Sequence, residues 1–176
     1  MDERKLFLID DLPGFTPQIG RLVSMMNYAR HTTLSAVDGL GPRHLDYLHD
    51  PHSNSIGALL SHVASVEVAY QAVTFHCRDL NEEERREWGV ALDLGERARL
   101  EIRGHDLDYY LARLRRVREA TLTELGRRSD AWLEEQTPFW GGLTANNHFK
   151  WFHVVEDELS HRGQIRWLRK RAIEGV

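Results

Sequence analysis

Four stretches of the chain repeat apolar residues every three or four positions, the spacing that lines one face of an α-helix. The first opens at Thr16-Pro17, a capping residue followed by a first-turn proline. It runs through Ile19, Leu22, Val23, Met26, Thr33, Leu34 and Val37 and stops at Gly39. The second follows the polar run His52-Ser53-Asn54-Ser55 and carries Ile56, Leu59, Leu60, Val63, Val66, Tyr70 and Val73. The third starts near Asp106, continues through Leu107, Tyr110, Leu111, Leu114, Val117, Thr121 and Leu125, and ends at Gly126. The fourth begins near Asn146 or Asn147 and extends towards the C-terminus.

Residues 81–104 are charge-rich and only weakly periodic, which predicts a long connection holding one short helix; residues 129–147 form a second long connection. Connections of that length often act as functional covers. No alternating pattern predicts a strand, and no internal repeat or low-complexity segment is present. Four amphipathic helices of roughly 20–27 residues predict an all-α four-helix bundle. The long inter-helix connections leave room for a topology other than simple up-down-up-down.

Two of the four apolar stripes are interrupted. On the second helix, Leu59, His62, Val66, Ala69 and Val73 share a face, and His62 breaks it. On the fourth, Val154, Asp157, His161, Ile165 and Leu168 share a face, with an acid and an imidazole one turn apart in its middle. A buried, unpaired carboxylate costs several kcal/mol or takes up a proton. Convergence on a cation offsets that cost. Residues at i and i+4 lie about 6 Å apart, a span that chelates one ion, and a ligand from a facing helix closes a set of three.

Two imidazoles and one carboxylate suit zinc or nickel, and also iron or manganese. Three protein ligands leave a position for water or substrate, as in catalytic sites. The plainer alternatives are a helix salt bridge for the Asp157–His161 pair and a hydrogen-bonded core residue for His62. Neighbouring groups compete for the role: Glu158 lies at i,i+3 to His161. His153 lies one turn before Asp157 but about 12 Å along the helix from His161, so those two histidines do not easily share an ion.

Composition narrows the function classes. With 176 residues the chain reads as one domain, spanning 1–176, and its formal net charge of -4 argues against nucleic-acid binding. The basic group Arg166, Arg169, Lys170 and Arg171 sits where cations complement the negative end of the last helix. Cys77 is the only cysteine, so no intrachain disulfide forms. The N-terminal run LFLI is too short for a signal peptide, and no apolar run approaches the roughly 20 residues of a membrane span. These features predict a cytoplasmic protein without a membrane partner.

A histidine in ALLSHVASVE followed by HVVEDELSHRGQI, above all its HRGQ, resembles the DinB/YfiT-like superfamily of four-helix-bundle metalloproteins, over nearly the whole chain. The resemblance implies that His62, Asp157 and His161 bind one divalent metal. Aspartate at the middle position departs from the usual histidine or glutamate, and is one methylene shorter than the latter. Relatives include mycothiol- and bacillithiol-dependent transferases, so the resemblance implies a small-molecule thiol and an electrophilic substrate as partners.

The expected function is that of a metal-dependent thiol S-transferase or hydrolase acting on small molecules, with the metal activating thiol or water. The alternative is a non-catalytic bundle stabilised by metal, or a stress-related binding protein. An apolar outer face, which such bundles often keep, would make the protein a homodimer. HRGQ has its own physical reading: Gly163 permits close helix approach, and Gln164 can orient a metal ligand. Cys77 lies about 22 Å along an ideal helix from His62 and is expected to be a buried, inert thiol. Tyr28 and His31 are expected at packing or surface positions, while Trp140 and the Trp151–Phe152 pair are candidates for a pocket rim, set against the core position usual for aromatics near a bundle end.

Overall fold

The computed structural model describes residues 6–174; residues 1–5 of the N-terminal segment, read above as no part of a signal peptide, lie outside it. Its long helices are α1 (Pro17–Val37), α3 (Ile56–Phe75), α6 (Leu107–Leu125) and α8 (Asn147–Glu174). Each periodic stretch therefore forms the helix its spacing predicts. Between them lie α2 (Pro42–Leu45), α4 (Glu82–Asp93), α5 (Gly95–Glu101), α7 (Asp130–Leu133) and two short strands, β1 (Gln136–Pro138) and β2 (Thr144–Asn146).

Helix ends follow local chemistry where a capping side chain is at hand. Ser55 accepts from the Ala58 amide at the start of α3, and Asp106 accepts from the Tyr109 amide at the start of α6. Helix α1 departs from this expectation. Thr16 makes no side-chain cap; instead Asp130, from α7, accepts from the Gln18 and Ile19 amides at 3.1 and 3.2 Å and from the Thr16 hydroxyl. At the other end of α1, Arg169 donates to the Ala36 and Asp38 carbonyls at 3.0 and 2.8 Å. So one member of the basic group on α8 serves a neighbouring helix, and Arg171 stacks on Trp167.

Packing runs α1 beside α8, α8 beside α3, α3 beside α6, and α6 back to α1. The core divides into two apolar clusters. One holds the end of α1, the starts of α3 and α6 and the end of α8; the other holds the start of α1, Val66 and Tyr70 of α3, Leu125 and the start of α8. The helices therefore run up, down, down, up. Parallel neighbours α3 and α6 cannot be joined by a tight turn, which is why residues 76–106 form so long a connection.

That connection holds two helices rather than one. Helix α4 opens with a reciprocal cap between Asn81 and Glu84, buries Trp88 and Ala91, and packs along α3. Leu94 and Gly95, both at positive φ, break it from α5. The second connection also departs from expectation, because β1 and β2 pair antiparallel across Trp140, Gly141 and Gly142. Three-residue strands are too short for alternation to register in sequence, and the two glycines at φ 64° and 77° supply the reversal.

Between the two clusters lies a polar layer that the sequence reading did not anticipate. Glu67 accepts from Arg118 at 2.8 and 3.1 Å, from Arg30 at 3.2 Å and from Thr121 at 2.6 Å. Glu158 accepts from Arg30 at 2.8 Å and from Arg118 at 3.3 Å. All four charged side chains are buried, and they tie α1, α3, α6 and α8 together at mid-height. Burial pushes the Glu67 carboxyl up, but the Arg118 and Arg30 guanidiniums outweigh it and hold the group below its ordinary value.

Helix α3 is long and apolar enough to cross a membrane by length and mean hydropathy alone, although polar residues interrupt its apolar run. Most of its length is covered by the bundle.

Candidate functional site

His62 stands on α3, and Asp157 and His161 stand one turn apart on the adjacent α8. Helix packing brings them together. The His62 and His161 Nε2 atoms face the same Asp157 Oδ1 at 3.8 and 3.4 Å, with the two rings nearly perpendicular and their centroids 4.8 Å apart. One ligand atom from each residue lies within 4.8 Å of the others. The short aspartate thus reaches both imidazoles without the extra methylene of glutamate. Glu158 turns the other way, into the buried arginine layer, and His153 points to Tyr70 instead.

Both imidazoles are held from behind. His62 Nδ1 lies 2.9 Å from the Ala91 carbonyl on α4 and donates to it, which leaves Nε2 as the nitrogen that faces Asp157. His161 Nδ1 lies 3.2 Å from Gln164 Oε1, the contact anticipated for Gln164, whereas Gly163 faces open space and serves no close helix approach. The Ala91 contact had no sequence signal, because any residue supplies a backbone carbonyl.

Burial raises the Asp157 carboxyl, yet hydrogen bonding and charge from His161 and His62 reverse this and hold it well below its ordinary value. Burial lowers the His161 imidazole, but Asp157 and Gln164 carry it above its ordinary value. A depressed carboxyl contributes stability above its unfolded pKa near 3.8, and that contribution is lost as pH falls through the folded value. A raised imidazole contributes stability below its unfolded pKa near 6.5, and loses it as pH rises through the folded value. The metal-free protein should therefore gain most from this pair between about pH 4 and 6.5. Urea unfolding at pH 5.5 and 8 checks this: the parent should lose more stability over that interval than His161→Gln.

Two members of the triad, His62 and Asp157, line a cavity of about 710 Å³. This volume lies in the range of small-molecule sites. Val66, Ala69 and Val73 of α3 line one side, and Pro138, Phe139 and Trp140 of the hairpin line another. Tyr70 and His153 face the same space, with the Tyr70 hydroxyl 3.0 Å from His153 Nδ1. Burial first, then the charges of Asp157 and Glu156, push the tyrosine up to about 12, so its hydroxyl keeps its proton at neutral pH.

Other candidates fall into place around this cavity. Trp140 lines its rim, and is exposed rather than core. Trp151 is buried in the core, stacked on Phe75, and Phe152 lines a separate apolar groove, so that pair forms no part of this rim. Tyr28 borders the same outer groove, and His31 is exposed. Cys77 is exposed rather than buried, because the chain turns at φ 53° just past the end of α3 and carries it off the helix face.

The donor set fits a divalent ion. Two imidazole nitrogens with their opposite ring nitrogens already engaged, and one ionised carboxylate, offer three convergent lone pairs. Ligand atoms around a tetrahedral ion at 2.0–2.1 Å stand about 3.3 Å apart, close to the Asp157 separations found here.

This bundle, with its connections and its site on the α3–α8 seam, places the chain in the DinB/YfiT-like class of helical proteins. Within that class it belongs to the mycothiol-S-transferase family, whose model, described as Mycothiol-S-transferase, matches residues 21–174. A crystal structure described as a conserved protein from Enterococcus faecalis is similar in fold, with a TM-score of 0.69 at 14% identity. The match covers 88% of this chain and 96% of that one. No curated protein sequence matches the chain.

Proposed function

We propose that this protein is a metal-dependent thiol S-transferase whose divalent ion is held by His62, Asp157 and His161. The observation that carries the reading is the pair of back-anchored imidazoles converging on one carboxylate oxygen that borders a ligand-sized cavity. The family's description supplies the thiol chemistry. In the transfer, a thiol R–SH and an electrophile R′–X give R–S–R′ and HX: the sulfur–carbon bond forms, X leaves with its bonding pair, and the thiol proton balances its charge. A divalent ion supplies Lewis acidity, favouring thiolate over thiol at neutral pH.

The chain's own residues supply the rest. The Ala91 carbonyl and Gln164 fix both histidine tautomers, and Asp157 stays ionised. Tyr70 keeps a hydroxyl at the cavity wall, and the apolar residues of α3 and the hairpin thin out the water around the reacting atoms.

Two measurements test this. Protein purified without added metal or a histidine tag should contain close to one equivalent of zinc, nickel, iron or manganese, or take it up on titration. The loaded protein should conjugate mycothiol, or another low-molecular-weight thiol, to an electrophile, and chelation should stop it. Failure to bind any of these metals would overturn the reading. Metal-dependent hydrolysis without thiol consumption would replace transferase by hydrolase. Gln164→Ala should weaken metal affinity by about 10–100-fold, as loss of an orienting partner does, in competition with a chromogenic chelator. Unchanged affinity would mean that Gln164 does not position His161.

A further inference from the structure

The cavity above the triad has walls of two kinds, and together they describe a ligand. On the hairpin side, Phe139 and Trp140 stack with centroids 4.5 Å apart, and Trp140 is 64% exposed, leaving indole surface open. Its ring meets His153 edge-on at 5.1 Å. Opposite, the α3 wall is aliphatic. Such walls favour a flat, apolar body.

Charge sets the second condition. Away from the metal ligands, Asp79 lines the cavity, Glu156 lies 3.9 Å from His153 Nε2, and no lysine or arginine is among the lining residues. The cations nearby are otherwise engaged. Lys150 is buried beneath the hairpin, bonded to Thr137 and the Pro138 carbonyl, and Arg78, next to Asp79, is paired with Glu84 at 2.6 Å. In that part of the cavity an anionic ligand would meet Asp79 and Glu156 without a counter-cation from the lining.

The Tyr70–His153 pair sets the third. If Nδ1 donates to the tyrosine oxygen, the hydroxyl proton is free for a ligand; if Nδ1 accepts, the oxygen lone pair is free. Either way one polar contact is offered among apolar ones.

We infer that the hairpin half of this cavity is the acceptor site, and that it takes an uncharged, flat aromatic electrophile with one hydrogen-bonding substituent read by Tyr70, while acceptors bearing a carboxylate are rejected. This rests on the transferase reading above for its meaning, but the selectivity belongs to the cavity itself.

The test uses two unreactive compounds of nearly the same shape, 4-nitrobenzamide and 4-nitrobenzoate, in equilibrium dialysis against the protein as purified, with metal content measured in parallel. The amide should bind at least about tenfold more tightly, since like charges brought together oppose the benzoate. Trp140→Ala and Tyr70→Phe should each weaken the amide by about three- to tenfold, and Asp79→Asn should narrow the gap by improving the benzoate. Equal or tighter benzoate binding, no retention of the amide, or an amide affinity indifferent to both Trp140→Ala and Tyr70→Phe would overturn the inference. Selectivity kept in protein that binds no metal would support the site while sinking the metal reading. Metal-dependent thiol transfer with no such selectivity would do the reverse.

Discussion

Glu67→Ala should destabilise the protein by about 3–5 kcal/mol, because it leaves two buried guanidiniums with one carboxylate between them. Glu67 and Glu158 balance Arg30 and Arg118, and Glu67 alone also serves the Thr121 hydroxyl. Removing it strands a net positive charge between the two apolar clusters and opens a void. For a chain of this size that corresponds to a fall in Tm of roughly 6–20 °C. Urea unfolding of parent and variant measures it, and a loss below about 1 kcal/mol would show that water or rearranged side chains replace the carboxylate. The layer's net contribution is a separate matter. Desolvating four charges is expensive, so replacing all four by well-packed apolar residues is expected to cost far less than removing one.

His161→Ala should abolish stoichiometric metal binding and, with it, thiol transfer. Two ligands at most would remain, one of them a single short carboxylate. The fold should survive, because the His161 side chain is only partly buried and bonds only its own helix neighbours Asp157 and Gln164. Elemental analysis, circular dichroism and a transfer assay on the same preparation separate the outcomes. A folded variant that still holds one equivalent of metal would remove His161 from the site. A variant without metal that still conjugates thiol would separate the metal from the chemistry.

Much of this architecture was written in side-chain periodicity. The long helices bury continuous stripes, and a stripe registers in sequence whatever it packs against. Asp157 and His161 stood out for the same reason, as polar residues where burial is expected. The arginine layer carried the same signal and went unread. Glu67 lies four residues after Val63, Glu158 four after Val154, Arg118 four after Leu114, and Arg30 four after Met26. Each interrupts a stripe as His62 does. What no periodicity encodes is contact between distant segments through the backbone: the Ala91 carbonyl behind His62, or the hairpin whose three-residue strands are too short to alternate. Cys77 was misjudged because the helix was extended past its end, where one residue at positive φ redirects the chain.

The cap on α1 has a consequence for the order in which the protein is made. The amides of Gln18 and Ile19 close onto a carboxylate more than a hundred residues downstream, and the Thr16 hydroxyl donates to that same carboxylate instead of capping the helix itself. At synthesis rates of about 5–20 residues per second, that partner emerges roughly 6–22 seconds after the amides it caps. Until then the first turn of α1 frays, and its amides should be among the last in the bundle to gain protection from hydrogen exchange during folding. The N-terminal helix is thus completed from the C-terminal half, and a nascent chain stalled before Asp130 would carry an unfinished first helix.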